Sequence, residues 1–364
     1  MSAVNHQPTT DAQAKGRVAV RRVDCDVHPG FEAPDELIDY IMEPWKSKTD
    51  MRKLIRPVYL PPHVGRQDAA PPSGGASGSD PVLLDKHLLG DAQIDYVVLI
   101  ENSAGTPPDP NQNVAVRAAL NRWMADKWLD KYNAHQRHKG TITIPVDSPS
   151  EAIVEIERWA GHPHFVGIRV PHYSQQPYGD EKYFRIWEAA ARHRLPVCVH
   201  VNGGGVESFA SPVGFFKQFF QYHAVGYPLT YGAHLTSLLV RGVFDRLPNL
   251  RFVLVEGGFT WAGPLLWRLD QLWEMRGSQG RRPSELARNH VRFTSQPIEE
   301  PEVPRQMARM FELMGGADLL MLATDYPHWD FDDPAMALQW LGGPSKDRVF
   351  CQNAIEWFNL PAQR

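Results

Sequence analysis

Asp26 and His28 stand two residues apart at the end of the run V-D-C-D-V-H, and such a pair can grip one divalent cation. If the run is a strand, its period of two turns Asp24, Asp26 and His28 to one face and Val23, Cys25 and Val27 to the other. Three polar groups on one buried face need partners. Asp24, a layer deeper, suits a role in holding the ligands. Four more candidates sit at the ends of similar runs. His200 lies in P-V-C-V-H-V, before N-G-G-G. Glu256 ends the apolar run F-V-L-V-E, where a carboxylate needs a cation or a donor. Asp325 ends L-L-M-L-A-T-D, and Y-P-H then places His328 just beyond it. Imidazoles and carboxylates in this pattern point to metal chemistry. A bound ion polarises a substrate or lowers the pKa of water, while Glu256, Asp325 and His328 are the candidates for moving protons.

Something must bring these residues to one place. Eight Val/Ile/Leu-rich runs read as strands covered on both faces: 17–28, 96–101, 139–146, 165–171, 196–201, 251–257, 291–296 and 319–325. Amphipathic segments alternate with them at 113–132, 149–161, 181–194, 234–247, 261–275, 301–314 and 344–358. Eight βα units over about 250 residues or more predict an α/β fold, a (β/α)8 TIM barrel. No G-x-G-x-x-G follows the first strand, which counts against an open dinucleotide-binding sheet. In a barrel the candidates converge, because the C-terminal ends of all strands share one face.

The predicted organisation is a loose leader over 1–17 and a metal-dependent barrel over 18–360, with a long insertion, 29–95, after the first strand. The insertion as a whole is expected on the active face, as a lid or an oligomer contact, and its stretch P-P-S-G-G-A-S-G-S at 71–79 is expected to bury no core and to be mobile.

The chain has 364 residues and a net charge of −4, and no long Lys/Arg run, so a nucleic-acid role is not expected. Three scattered cysteines without C-x-x-C suggest a reducing, cytoplasmic setting. No apolar h-region opens the chain and no apolar stretch is long enough to span a membrane.

D-x-H on the first strand, His200 on the fifth and T-D-Y-P-H on the eighth resemble the amidohydrolase superfamily. More closely they resemble the branch that includes aminocarboxymuconate-semialdehyde decarboxylase. The stretches TSLLVRGVFDRLPNLRFVLVEGG (236–258), WRLD (267–270) and ATDYPHWDFDDP (323–334) are similar to that branch. The resemblance implies a barrel enzyme acting on a small molecule with metal held by Asp26, His28, His200 and Asp325. Two departures stand out: the usual first-strand H-x-H is Asp26-x-His28, and Glu256 occupies a position where many members have a His.

Charge then bears on metal count. One M²⁺ is already neutralised by Asp26 and Asp325, so Glu256 favours a second ion. Two ions against three carboxylates and three neutral imidazoles, His328 included, leave one positive charge for an anionic ligand or hydroxide. Such mixed ligands suit Fe and Mn, with Zn or Co as alternatives. This pattern is similar to superfamily members of the 2-aminoisobutyrate hydroxylase type, whose dinuclear Fe/Fe or Fe/Mn centres activate O2. Three functions therefore stay open: an O2-dependent dinuclear hydroxylase of a small amino-acid or carboxylate substrate, a mononuclear decarboxylase or hydrolase, and a partner subunit with a structural metal. A homo- or hetero-oligomer is expected in each. Arg169, His172, His223 and His234 are candidate substrate contacts, each with a bland alternative as an ion-paired Arg or a core or surface His.

Overall fold

The computed structural model describes residues 19, 21–50, 65–201 and 221–363, so the expected leader lies outside the described residues. Eight parallel strands run in sequence order: β1 (Val23–Val27), β2 (Tyr96–Leu99), β3 (His138–Thr143), β4 (Phe165–Pro171), β5 (Val197–His200), β6 (Phe252–Val255), β7 (Val291–Thr294) and β8 (Leu320–Met321). β8 is only two residues long, yet the ring closes. Cys25 N–H donates to Leu322 O at 3.0 Å, Asp325 N–H to Asp26 O at 3.1 Å and His28 N–H to Tyr326 O at 2.7 Å. The predicted (β/α)8 barrel is the observed fold.

Helices follow most strands. Pro110–Trp123, Pro149–Trp159 and Pro304–Met314 each carry Pro in the first turn, where its missing N–H is no loss. The expected helix 234–247 starts earlier, at Tyr227, and breaks after Val240, where Gly242 takes φ 73°. Pro283–His290 is a further helix that periodicity alone did not single out.

The alternation expected of β1 fails. Its register against β2 shifts between Asp24 and Val27. Val23 and Cys25 pack with Val98, Cys198 and Val253, whereas Val27 joins the other cluster with Val97 and Leu99. The extra residue lets Asp24 turn back on its own strand, accepting from Asp26 N at 3.2 Å and from Thr324 N at 3.0 Å.

The insertion is anchored at both ends of the barrel. At the C-terminal rim, Gly65 bridges His328, Arg66 N–H donates to Pro327 O at 2.7 Å and Gly30 N–H donates to Gly78 O at 3.0 Å. The Gly/Ser run, expected to build no core of its own, has Gly78 and Ser79 buried against the rim. Gly78 has φ 75°, and a Cβ there would lie 2.6 Å from His28 O. The glycine content that forbids a core permits this close approach.

At the other end, helix Pro81–Leu84 leads into Asp85, whose carboxylate accepts from His138 Nε2 at 2.7 Å and His135 Nε2 at 2.9 Å. These three could be read as metal ligands. However, His135 Nδ1 accepts Arg137 N–H at 3.0 Å, so its Nε2 carries the hydrogen given to Asp85. The cluster is a satisfied clamp. Burial works against charging Asp85, but the two imidazoles outweigh it and hold the carboxyl down at about 2. A depressed carboxyl stabilises the fold above its unfolded pKa of about 3.9, and that contribution disappears as pH falls toward 2. Asp85→Asn is therefore expected to cost on the order of 1 kcal/mol at pH 7, after allowance for solvent screening. The gap between the urea midpoints of the two proteins should narrow from about pH 4 and close as pH falls toward 2; a constant gap from pH 7 to pH 2 would refute the clamp.

Candidate metal centre

The C-terminal rim gathers all six residues expected there. Asp26, His28, His200 and Glu256 form one set of donors and His28, Glu256, Asp325 and His328 a second, the atoms of each lying within 4.8 Å of one another. His28 and Glu256 are common to both sets.

Backbone chemistry fixes the imidazoles. His28 Nδ1 lies 2.8 Å from Ile100 O, which can only accept, so Nδ1 bears the hydrogen and Nε2 presents a lone pair. His200 Nδ1 donates to Val201 O in the same way. Both lone pairs face carboxylates. His28 Nε2 is 2.8 Å from Asp325 Oδ1 and 3.3 Å from Asp26 Oδ1. His200 Nε2 is 3.0 Å from Glu256 Oε2 and 3.2 Å from Asp26 Oδ1. Among the described residues, Asp26 Oδ1 and Oδ2, His200 Nε2, Glu256 Oε2 and Asp325 Oδ2 are buried with no hydrogen-bond partner. Converging lone pairs without an intervening donor repel each other, and a divalent cation removes that repulsion. The donor set fits a divalent ion bound by O and N.

Protons are drawn to the same spot. Without an ion a proton takes its place on His200 Nε2: burial disfavours the charged ring, but Asp26 and Glu256 overcome it and hold the imidazolium up to about 10. Burial also opposes charge on His328, yet Asp325 and Glu256 raise it to about 9. Burial, and then the charge of Asp325, push Glu256 up to about 7. Asp325 stays well below the usual carboxylate range despite burial, held there by His328 and His28.

The ligand-bearing strand ends are shaped for the task. Glu256 and Asp325 have left-handed backbones, φ 57° and 60°. Glu256 N–H donates to Thr294 Oγ1 at 3.0 Å. Asp325 Oδ1 takes His328 Nδ1 at 2.6 Å, and His328 N–H closes back on Asp325 O at 2.8 Å.

The four secondary candidates divide. His234 is a core residue: Nδ1 accepts Tyr178 N–H at 3.1 Å and Nε2 donates to His172 O at 2.8 Å, leaving no nitrogen for a ligand. His172 is buried beside Tyr227 and Tyr231, its N–H donating to His200 O at 2.8 Å. His223 packs on the Tyr227 ring at 5.0 Å, and Asp330 and Asp325 raise its pKa against the stronger lowering by burial. Arg169 lies inside the barrel without an ion pair among the described residues. Sequence reasoning passed over Thr294, Asn102 and Gln296, the last holding Asp330 through Nε2 at 3.1 Å. Their strand-end positions were the available signal.

A (β/α)8 barrel with this donor set at its C-terminal rim defines an enzyme of the metal-binding amidohydrolase superfamily. Residues 97–360 match the family model described as Amidohydrolase, and the chain belongs to that family. Among curated proteins it is similar to the decarboxylase orsB of Emericella nidulans, 23% identical over 184 residues, 47% of this chain and 54% of that protein. The chain thus matches about half the length of that relative. Among solved structures it is similar to 5-carboxyvanillate decarboxylase LigW from Sphingomonas paucimobilis, with TM-score 0.66, 20% identity and coverage of 94% of this chain and 100% of that one. It is also similar to dihydroxybenzoic acid decarboxylase from Polaromonas sp. JS666, which holds manganese and the inhibitor 2-nitroresorcinol, with TM-score 0.62, 17% identity and coverage of 94% and 97%. At these identities the structural likeness is one of fold. No described helix is long and apolar enough to cross a membrane.

Proposed function

We propose that this chain is a divalent-metal-dependent decarboxylase of a small carboxylic acid. The observation that carries the reading is convergence on one centre: both donor sets need His28 Nε2, and one lone pair serves one ion. Asp26, His28, His200 and Glu256 would hold it, with Asp325 Oδ2 completing the set. When bound, the ion supplies Lewis acidity toward an oxygen of the substrate. His328 holds the proton. Asp325 Oδ1 accepts from its Nδ1 and orients the ring, which leaves Nε2 for the substrate. As the bond to the carboxylate carbon breaks, the electron pair stays on the substrate carbon and takes the His328 proton, and CO2 leaves. His328, with a side chain 22% exposed, is reprotonated from solvent. The decarboxylase relatives support the same reading.

The second reading is the dinuclear O2-dependent hydroxylase. Three carboxylates in one buried cluster exceed the charge of a single M²⁺, and this observation favours it. Strict anaerobiosis separates the two. Protein loaded with Mn²⁺ or Zn²⁺ and offered a panel of aryl and enolisable carboxylates should release CO2 without O2 or reductant. Turnover that requires both would sink the decarboxylase.

A further inference from the structure

Arg169 is 1% exposed, on the barrel face of β4 paired with Cys198 of β5. Its guanidinium is poorly matched. Only Nη2 donates, to Asn102 Oδ1 and to Val201 O, each at 3.4 Å; Nε is buried with no partner among the described residues. Nearby Arg117 is also buried and spends its donors on neutral acceptors: Asn113 Oδ1 at 3.0 Å, Gly105 O at 2.8 Å and Thr106 Oγ1 at 3.0 Å. Burial, and then the charge of Arg169, pull Arg117 down to about 10. The local carboxylate is Glu101, whose Oε1 already accepts Ser103 N–H at 2.6 Å and Ala104 N–H at 2.8 Å. Among the described residues two guanidiniums stand beside one local carboxylate, and a buried guanidinium with an unfilled donor is a candidate for holding an anion.

That charge borders the metal centre. Val201 O accepts from both Arg169 Nη2 and His200 Nδ1, so one carbonyl links the guanidinium to a ligand residue. The planar fork of an arginine with free Nε matches a carboxylate bidentately.

We propose that Arg169 is the seat of a substrate carboxylate, so that the chain acts on anionic acids and discriminates against their neutral amides. The inference rests on the metal centre proposed above. Asn102 and Val201 position the guanidinium, and Arg117 prevents it from settling into a structural ion pair.

Acetate is the probe, because it fits any carboxylate seat. Calorimetric titration of the Mn²⁺-loaded chain should give saturable acetate binding, with acetamide at least tenfold weaker. Arg169→Met should keep its metal, lose at least tenfold in acetate affinity and melt at the same or a higher temperature, since it removes a buried charge with no ion pair among the described residues. Arg169→Lys, a point charge, should fall between the two and serves if the Met variant does not fold. A structural arginine would instead lower the melting temperature and leave acetate binding alone. Acetate affinity unchanged in both variants, as when acetate meets only the ion, or no saturable acetate binding by the wild type, overturns the seat. Elemental analysis keeps the two ideas apart: a chain that binds no metal removes the centre, whereas a loaded chain indifferent to Arg169 removes only the seat.

Discussion

Exchange of Asp325 for Ala should yield a folded barrel that has lost its metal and nearly all turnover. Asp325 contributes no apolar packing; its carboxylate meets His28 at 2.8 Å and His328 at 2.6 Å, and its Oδ2 has no partner among the described residues. The substitution removes a ligand and also frees the His328 ring. Loss of an outer partner alone costs metal sites about 10–100-fold, so loss of a ligand together with the proton carrier's orienting group should exceed 10³-fold in rate. His328 and His28 hold this carboxylate well below its usual range, and Ala fits a left-handed backbone less well than Asp, so the melting temperature should fall by a few degrees while the barrel stays folded. Dialysis, elemental analysis and circular dichroism give the three readings. Near-normal metal content and turnover would place the centre elsewhere.

The second large effect is at Glu256. Glu256→Gln keeps shape and removes one negative charge. In the one-ion reading Asp26, His28, His200 and Asp325 still hold one equivalent of metal, bound at least about tenfold more weakly. The new amide can donate to the His200 Nε2 lone pair, 3.0 Å from the present carboxylate oxygen, and so competes with the ion. Turnover should fall by about 10–100-fold, following the weakened hold on the ion. A wild type with two equivalents that drops to one in this variant, with loss of O2-dependent turnover, would establish the dinuclear reading instead.

Much of this site was legible because chemistry and topology agree. Asp26, His28, His200, Glu256 and Asp325 each stand out against Val, Ile and Leu at a strand's C-terminal end, and a parallel barrel brings all such ends together. What escaped was set by details that no period records. One extra residue in β1 moved Val27 away from the face of Val23 and Cys25 and turned Asp24 back on the backbone. Glycine-rich 71–79 looked incapable of packing because its contacts are backbone to backbone, as between Gly30 and Gly78. His234 resembled the other histidines until its two backbone partners were known. That Arg169 has no ion pair among the described residues is a property of its neighbours, so its own identity in the sequence could not reveal it.

The left-handed backbones at Glu256 and Asp325 carry a consequence for how much folded protein a cell can hold. Non-glycine residues in this conformation cost about 1–3 kcal/mol each, and both occur at residues whose carboxylates also repel each other without an ion. Glycine at either place would relax the chain and remove the site. The folded state therefore leans on its ion: a cation bound only by the folded chain stabilises it in proportion to RT ln(1 + [M]/Kd). The level of folded, active chain should follow the free divalent-metal supply, so that scarcity thins the enzyme pool as well as emptying individual sites.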